Sequence, residues 1–431
     1  MKVLIKNGTI VPVSDKNVLY NTDIAIEDGI IVAIGDVKNF NSDYTVDATD
    51  KIVLPALVNS HTHASMTFFR NFPNKIDSLQ SWLSQIWVYE DLLTEEDVYI
   101  GTKLAIAEMI SSGTTTFSDF YFFQEASSEA IKEAKVKANL GLTLFGDAKE
   151  SEKRVANTLP SLKKIKQQTN GAIKFDIAPH SIYTCSAGTY KIANEVAKEN
   201  NCKVHTHISE TEKEVSDSLK EFGKRPLQYL DSLGVVDKNH LYLAHGIFLD
   251  QSEQDLLKEK KIPLVHNPNS NAILGCGIAP IKKYLENDIL IALGTDGASS
   301  NNNLDLFLEM RQCGLLSSAT TLQARSIDPY EIIKMATING AIALGRKKEI
   351  GTIEVGKEGD LILIDANSVN MLPHNNIYSS LVYSAKSSDV VTVVSGGNIV
   401  MENRELKTID IESVKRDFLE SWENIKKRAT R

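Results

Sequence analysis

His61 and His63 stand two residues apart in Asn59-Ser60-His61-Thr62-His63-Ala64. In a strand, alternate residues point to the same side, so both imidazoles can face one ion. A third nitrogen from His207 and a carboxylate oxygen from Asp296 complete a nitrogen and oxygen donor set suited to Zn2+ or Fe2+. Water held by such an ion is partly hydroxide near neutral pH, its pKa falling to about 7 in favourable sites. These four residues therefore imply hydrolysis by a single metal-held hydroxide. A bare His-x-His pair is equally a surface or capping feature, so the argument rests on where the other donors fall.

They fall at the ends of strands. The middle of the chain repeats a short apolar strand, a loop and an amphipathic helix. Strands are expected over 52–58, 114–117, 140–145, 173–178, 203–206, 241–244, 262–265 and 289–293. Helices are expected to begin at Thr94, with Asp97 three residues on, near Ser186, and near Asp250, with Glu253 three residues on. Alternating strand and helix argue for a parallel sheet, and eight such units close as an α/β fold, the (β/α)8 TIM barrel. At or just beyond the strand ends lie His61, His63, Asp119, Asp147, His180, His207, His245, His266 and Asp296. A barrel gathers all of these on the one face where its active sites form. Of the nine histidines only His240 and His374 lie elsewhere, His205 being within two residues of an end.

The two termini read differently. Strand-like runs beside Asn7-Gly8 and Asp28-Gly29 fill the start, and the same texture returns at 361–364, 390–394 and 399–400 beside Gly396-Gly397. The expected organisation is a small β-sandwich domain from 1–54 plus 355–407, a catalytic barrel over 55–354, and a C-terminal helix over 408–431.

Composition narrows the partners. A chain of 431 residues with 42% hydrophobic and 24% charged residues has the make-up of a soluble globular protein. A net charge of −9 gives no footprint for nucleic acid or for an anionic membrane surface. No run of about 18 apolar residues is present to span a bilayer. The four cysteines lie far apart, suggesting neither disulfides nor a thiolate zinc site. The start lacks the apolar core of a signal peptide. The expectation is a cytoplasmic enzyme with a small-molecule substrate, self-association being left open.

With these residues in view, the sequence resembles the amidohydrolase superfamily, and within it the S-adenosylhomocysteine/5′-methylthioadenosine deaminases. The motifs that carry the resemblance are LPALVNSHTHASM (54–66), WLSQIWVYEDLLTEED (82–97), APHSIYTCS (178–186), HTHISET (205–211), LAHGIFL (243–249), HNPNSNAILGCGIAP (266–280) and GTDGASSNNNLDLFLEMR (294–311). They cover essentially the whole chain, and Ala56 stands where a glycine is common. Members with two metals bridge them through a carboxylated lysine ending strand four. This chain reads Asp176-Ile177-Ala178-Pro179-His180 there, which implies one metal.

The resemblance implies deamination of the adenine ring of a purine nucleoside, giving the inosine analogue and ammonia. It makes Glu210 the proton shuttle, His245 the partner of the attacking hydroxide, and Asp296 both metal ligand and proton acceptor. It implies Glu90 as the acid for the ribose 2′ and 3′ hydroxyls, His180 as a purine contact, Trp82 as a pocket wall, and Ser300 as a further lining residue. Arg154 matches one of two arginines that take an amino-acid carboxylate. The other has no counterpart at Leu144, Phe145 and Gly146, which favours nucleosides with short or uncharged 5′ groups at least as much as S-adenosylhomocysteine. The metal is expected to be Zn2+, with Fe2+ or Mn2+ as alternatives. The rival readings are another one-metal member of this superfamily (a guanine, cytosine or triazine deaminase, or a dechlorinating hydrolase) and, more remotely, a non-enzymatic scaffold.

Overall fold

The N-terminal strands pair with one another before any barrel strand appears. In the computed structural model, which describes residues 1–72 and 78–430, these are β1 (Lys2–Ile10), β2 (Leu19–Glu27), β3 (Ile30–Gly35), β4 (Tyr44–Asp47) and β5 (Lys51–Pro55). The barrel strands follow as β6 (Leu57–Thr62), β7 (Thr114–Asp119), β8 (Lys137–Leu144), β9 (Ile173–Pro179), β10 (Val204–Ile208), β11 (Leu241–His245), β12 (Leu264–His266) and β13 (Ile291–Leu293). Then β14 (Leu361–Asp365), β15 (Val390–Ser395), β16 (Asn398–Glu402) and β17 (Glu405–Leu406) return to the first sheet. Its order is β17-β16-β15-β14-β5-β1-β2-β3, with β4 on β1. The small β-unit from both termini is thus one hydrogen-bonded sheet. It closes over a core of its own that includes Ile5, Ile24, Val53, Leu361 and Leu363.

The eight barrel strands pair in chain order and all pairs are parallel. Every residue of β8 is buried, and its polar members are paired: Lys137 donates to Asp360, Asn139 to Asp176 and Thr143 to Tyr121 O. The ends meet where Asp296 N donates to His61 O at 2.9 Å and Thr295 N donates to Asn59 Oδ1 at 3.0 Å. That seam requires Gly294, because a Cβ there would stand 2.8 Å from His61 N.

One expected strand divides. The run 52–58 reads as a single apolar segment, but β5 pairs with β14 while β6 pairs with β7. Ala56 N donates to Asp360 O and Leu57 N to Gly113 O, so the chain changes sheets across one peptide. Pro55, with no N–H to offer, marks the break.

The helix starts follow their capping residues. Thr94 and Asp97 form a reciprocal capping box on Glu95–Ser111, as Asp250 and Glu253 do on Gln251–Lys260. Ser186 caps Ala187–Asn200. The terminal helix Ile411–Ala429 lies on the barrel's first loop, where Phe418 stacks on Phe68 at 4.2 Å and Trp422 approaches Phe69 and Tyr89. Its Ser421 and Arg428 both donate to Asp97. Of the expected barrel and tail spans, 73–77 and Arg431 lie outside the described residues. Among the described residues no helix is long and apolar enough to cross a membrane.

Candidate active site

The end of β6 delivers His61 and His63, β10 delivers His207, β11 ends in His245, and Asp296 follows β13. Their side chains converge at the mouth of the barrel. Nitrogen and oxygen atoms of His61, His63 and Asp296 lie within 4.8 Å of one another, as do nitrogens of His61, His207 and His245. His61 Nε2 is 3.4 Å and His63 Nε2 3.1 Å from Asp296 Oδ1. Both His245 and Asp296 have positive φ, 73° and 61°, a conformation that is uncommon outside glycine and tends to mark functional sites.

The hydrogen bonds decide which ring nitrogens carry protons. A carbonyl oxygen only accepts, so His63 Nδ1, 2.6 Å from Phe120 O, and His207 Nδ1, 2.6 Å from His180 O, are both N–H. His205 Nδ1 donates to Tyr242 O at 3.3 Å, which leaves its Nε2 bare to accept from His61 Nδ1 at 2.8 Å. His61, His63 and His207 are therefore each left with a lone pair on Nε2; those of His61 and His63 face Asp296 Oδ1, and His207 groups with His61 and His245. His61 Nε2 is buried with no hydrogen-bond partner. An orphaned buried nitrogen beside two more lone pairs and a carboxylate fits a divalent cation. The groups can hold a metal ion.

Electrostatics favour neutral imidazoles at His61, His205 and His207, and not at His63. Burial depresses His61 to about 4 and drives His207 and His205 well below the ordinary histidine value. On His63 burial works the same way, but Asp296 outweighs it and its pKa is raised. Burial disfavours charge on Asp296 too, yet His61 and His63 hold its carboxyl well below the usual range. Its other oxygen, Oδ2, accepts from Ser270 Oγ at 2.6 Å and Ser300 Oγ at 2.9 Å.

Glu210 is buried at the turn after β10. Glu214 shapes that turn by accepting from Ser209 N at 2.9 Å and Glu210 N at 2.8 Å. Burial raises the Glu210 pKa. Its Oε1 lies 3.8 Å from His245 Nδ1 and accepts from Cys276 Sγ at 3.6 Å. His245 Nδ1 donates to Asn271 Oδ1 at 2.8 Å, leaving Nε2 for the site.

A cleft of about 590 Å3, counted to its solvent mouth, opens above the cluster. Trp82, Glu90, His180, Glu210 and His245 line it together with His63, His207 and Asp296. Trp82 and Glu90 come from helix Leu79–Glu90, and burial raises the Glu90 pKa. Phe145 stacks on His180 at 4.8 Å. Two expected contacts stand apart. Ser300 meets Asp296 and does not line the cleft. Arg154 packs behind it, 5.4 Å from the Phe122 ring and donating to Thr143 O at 3.1 Å. It lines an adjoining depression that shares Glu90, Phe122 and Thr143 with the cleft.

Sequence reasoning missed Ser270 and Asn271. Both sit in HNPNSN (266–271), where the only cue was a cluster of small polar residues after a strand. His205, two residues before His207 on β10, meets His61 Nδ1 through its Nε2 at 2.8 Å. His266 is buried and outside the cleft lining. Lys174, the lysine of β9, pairs with Glu349 at 2.5 Å at the strand's start, far from the position of a bridging lysine.

The amidohydrolase family profile matches residues 52–400. A 5-methylthioadenosine/S-adenosylhomocysteine deaminase of Thermoanaerobacter pseudethanolicus is 41% identical over 96% of this chain and 97% of its own. A 5′-deoxyadenosine deaminase of Methanobrevibacter smithii is 41% identical over 98% of each chain. An adenosine deaminase from Xanthomonas campestris, solved with bound zinc, superposes with a TM-score of 0.92 at 32% identity, covering 99% of this chain and 98% of that one. A triazine hydrolase variant has a TM-score of 0.89 at 21% identity, a likeness of fold alone.

Proposed function

Since the chain belongs to the amidohydrolase family, we propose that it is a hydrolytic deaminase of the adenine ring of purine nucleosides. The candidate substrates are 5′-methylthioadenosine, S-adenosylhomocysteine, 5′-deoxyadenosine and adenosine. The observation that carries the reading is one cleft lined by the His and Asp cluster, a buried acid at Glu210 and a second carboxylate at Glu90.

A divalent cation, Zn2+ in our reading, held by His61, His63, His207 and Asp296 would supply the Lewis acidity that makes water a nucleophile at neutral pH. Asp296 takes a proton from the attacking water through the oxygen facing His63, while Ser270 and Ser300 hold its other oxygen still. His245 Nε2 orients that water, and Asn271 fixes the ring. Glu210 delivers a proton to ring nitrogen N1 and passes one to the departing amine. The C6–O bond forms, the C6–N bond breaks, and one water yields the inosine analogue and ammonia.

Glu90 accepts one O–H from each ribose hydroxyl, a geometry that a carboxylate offers and an amide does not. His180 and Trp82 hold the purine. Arg154, beyond Phe122, serves a substrate whose 5′ group extends past the ribose. We place the enzyme in the cytoplasm, where its four free, buried cysteines stay reduced.

An ammonia-release screen over adenosine, 5′-deoxyadenosine, 5′-methylthioadenosine, S-adenosylhomocysteine, guanine and cytosine tests this. Release from the adenosine-type nucleosides is expected. Release from guanine or cytosine, with none from any adenosine nucleoside, would sink it.

A further inference from the structure

Three consecutive residues at the head of helix Pro268–Ile273 have three separate targets. Ser270 Oγ donates to Asp296 Oδ2 at 2.6 Å, and Asn271 Oδ1 accepts from His245 Nδ1 at 2.8 Å. Asn269 turns the other way and gives Glu309 its backbone N–H at 3.2 Å and its side-chain amide at 2.7 Å. From the loop after β13, Asn301 Nδ2 donates to Glu309 Oε1 at 2.6 Å and to Thr295 O at 2.6 Å. That second loop carries Asp296 and Ser300. Glu309, on helix Leu306–Thr321, therefore stands where the two loops meet.

Glu309 is fully buried. Burial pushes its carboxyl up to about 8, against the pull of the amide donors of Asn269 and Asn301. A buried acid stabilised only by amides is costly to a fold. Here it joins two segments that have no strand pairing beyond β12 and β13, which are three residues each. Gly294 N donates to His266 O at 3.1 Å where the two strands end, and beyond that point Glu309 bonds both the loop carrying Ser270 and the loop carrying Ser300, whose hydroxyls converge on one Asp296 oxygen.

We propose that Glu309 is a positioning residue for the reaction. It registers loop 267–271 against loop 295–302, so that Asp296 is gripped from both sides and His245 is held by Asn271. The catalytic part of this inference rests on the deaminase reading, whereas the effect on metal affinity does not.

The test compares wild type with Glu309→Gln, which keeps the size but replaces one acceptor oxygen with an NH2 donor facing the amide donors. Outer-shell groups of this kind are typically worth about tenfold to hundredfold in metal affinity or activity. The expected result is a kcat per bound Zn2+ lowered about tenfold or more, with KM for the nucleoside within about twofold. Zn2+ affinity from chelator competition should weaken by about tenfold. A lower Tm with kcat per bound Zn2+ and the chelator midpoint unchanged would overturn the proposal, because a merely structural brace predicts that pattern. Should Glu309→Gln not fold, Asn269→Ala at a half-exposed position cuts one tie and must show the same kcat-against-KM split. Wild-type protein inactive on every nucleoside would refute the deaminase reading and leave the Zn2+ competition to decide on Glu309.

Discussion

Replacing Glu90 by Gln tests the assignment of the cleft's outer acid with substrate chemistry as well as mutation. Glu90 ends helix Leu79–Glu90, is half-buried, and lines the same cleft as His63, His207 and Asp296. A carboxylate there accepts an O–H from each ribose hydroxyl, whereas an amide keeps one acceptor and presents a donor to the other. The substitution thus removes one charge-assisted hydrogen bond in a partly desolvated place, worth roughly 1.5–3 kcal/mol. At about 1.4 kcal/mol per tenfold, kcat/KM for adenosine should fall about 10- to 150-fold. The same loss should already be built into 2′-deoxyadenosine, which lacks one hydroxyl. The assay is steady-state ammonia release for both nucleosides with both enzymes, and the ratio of their kcat/KM values should collapse toward unity in Glu90→Gln. If both substrates lose the same factor, the carboxylate does not bind the diol and the nucleoside assignment of this wall is wrong.

Two more outcomes are expected. Glu210→Gln should lower kcat by about 10^2 to 10^4 while metal content stays at the wild-type level, since proton transfer is lost and the ligands are not; metal loss in step with activity would make Glu210 a structural group. Asp97 carries the third test. Burial raises its carboxyl, but Ser421, Thr94 and Arg428 together hold it below the ordinary value. A depressed folded pKa stabilises above the unfolded value of about 3.9 and loses that contribution as pH falls through the folded value. Docking of helix Ile411–Ala429 should therefore hold steady from neutrality down to that range and weaken below it. Hydrogen exchange of that helix should show this acid step in wild type and not in Asp97→Asn; matching profiles would refute the linkage.

The clustering of these side chains was legible because a barrel places strand ends on one face, and His61, His63, His207 and Asp296 could be assigned to ends from apolar runs alone. The capping boxes at Thr94 and Asp250 were legible because both partners lie three residues apart. What escaped is what depends on distance in space. The run 52–58 looks like one strand, since both halves are apolar, and only the remote partners Leu361–Asp365 and Thr114–Asp119 reveal two. Ser270 and Asn271 act on groups 26 residues away through a loop whose path no periodicity encodes. Arg154 matched a motif position, yet the packing of Phe122 and Thr143 decides which depression it faces.

The division at Pro55 also has a consequence for how the chain is made. β5 ends at Pro55, and its partner β14 begins only at Leu361. During synthesis every residue of the candidate metal cluster has been added by Asp296, while the first sheet still waits for four of its strands. Throughout that interval the side of β5 that later meets β14 is an open edge carrying Ile52 and Leu54, and open edges recruit other chains. Pairing across so long a separation is also slow. The hazard of misassembly on the ribosome therefore concentrates at this edge, away from the catalytic barrel. A chain cut short before Leu361 would keep every residue of the candidate metal cluster and leave the β5 edge without its partner.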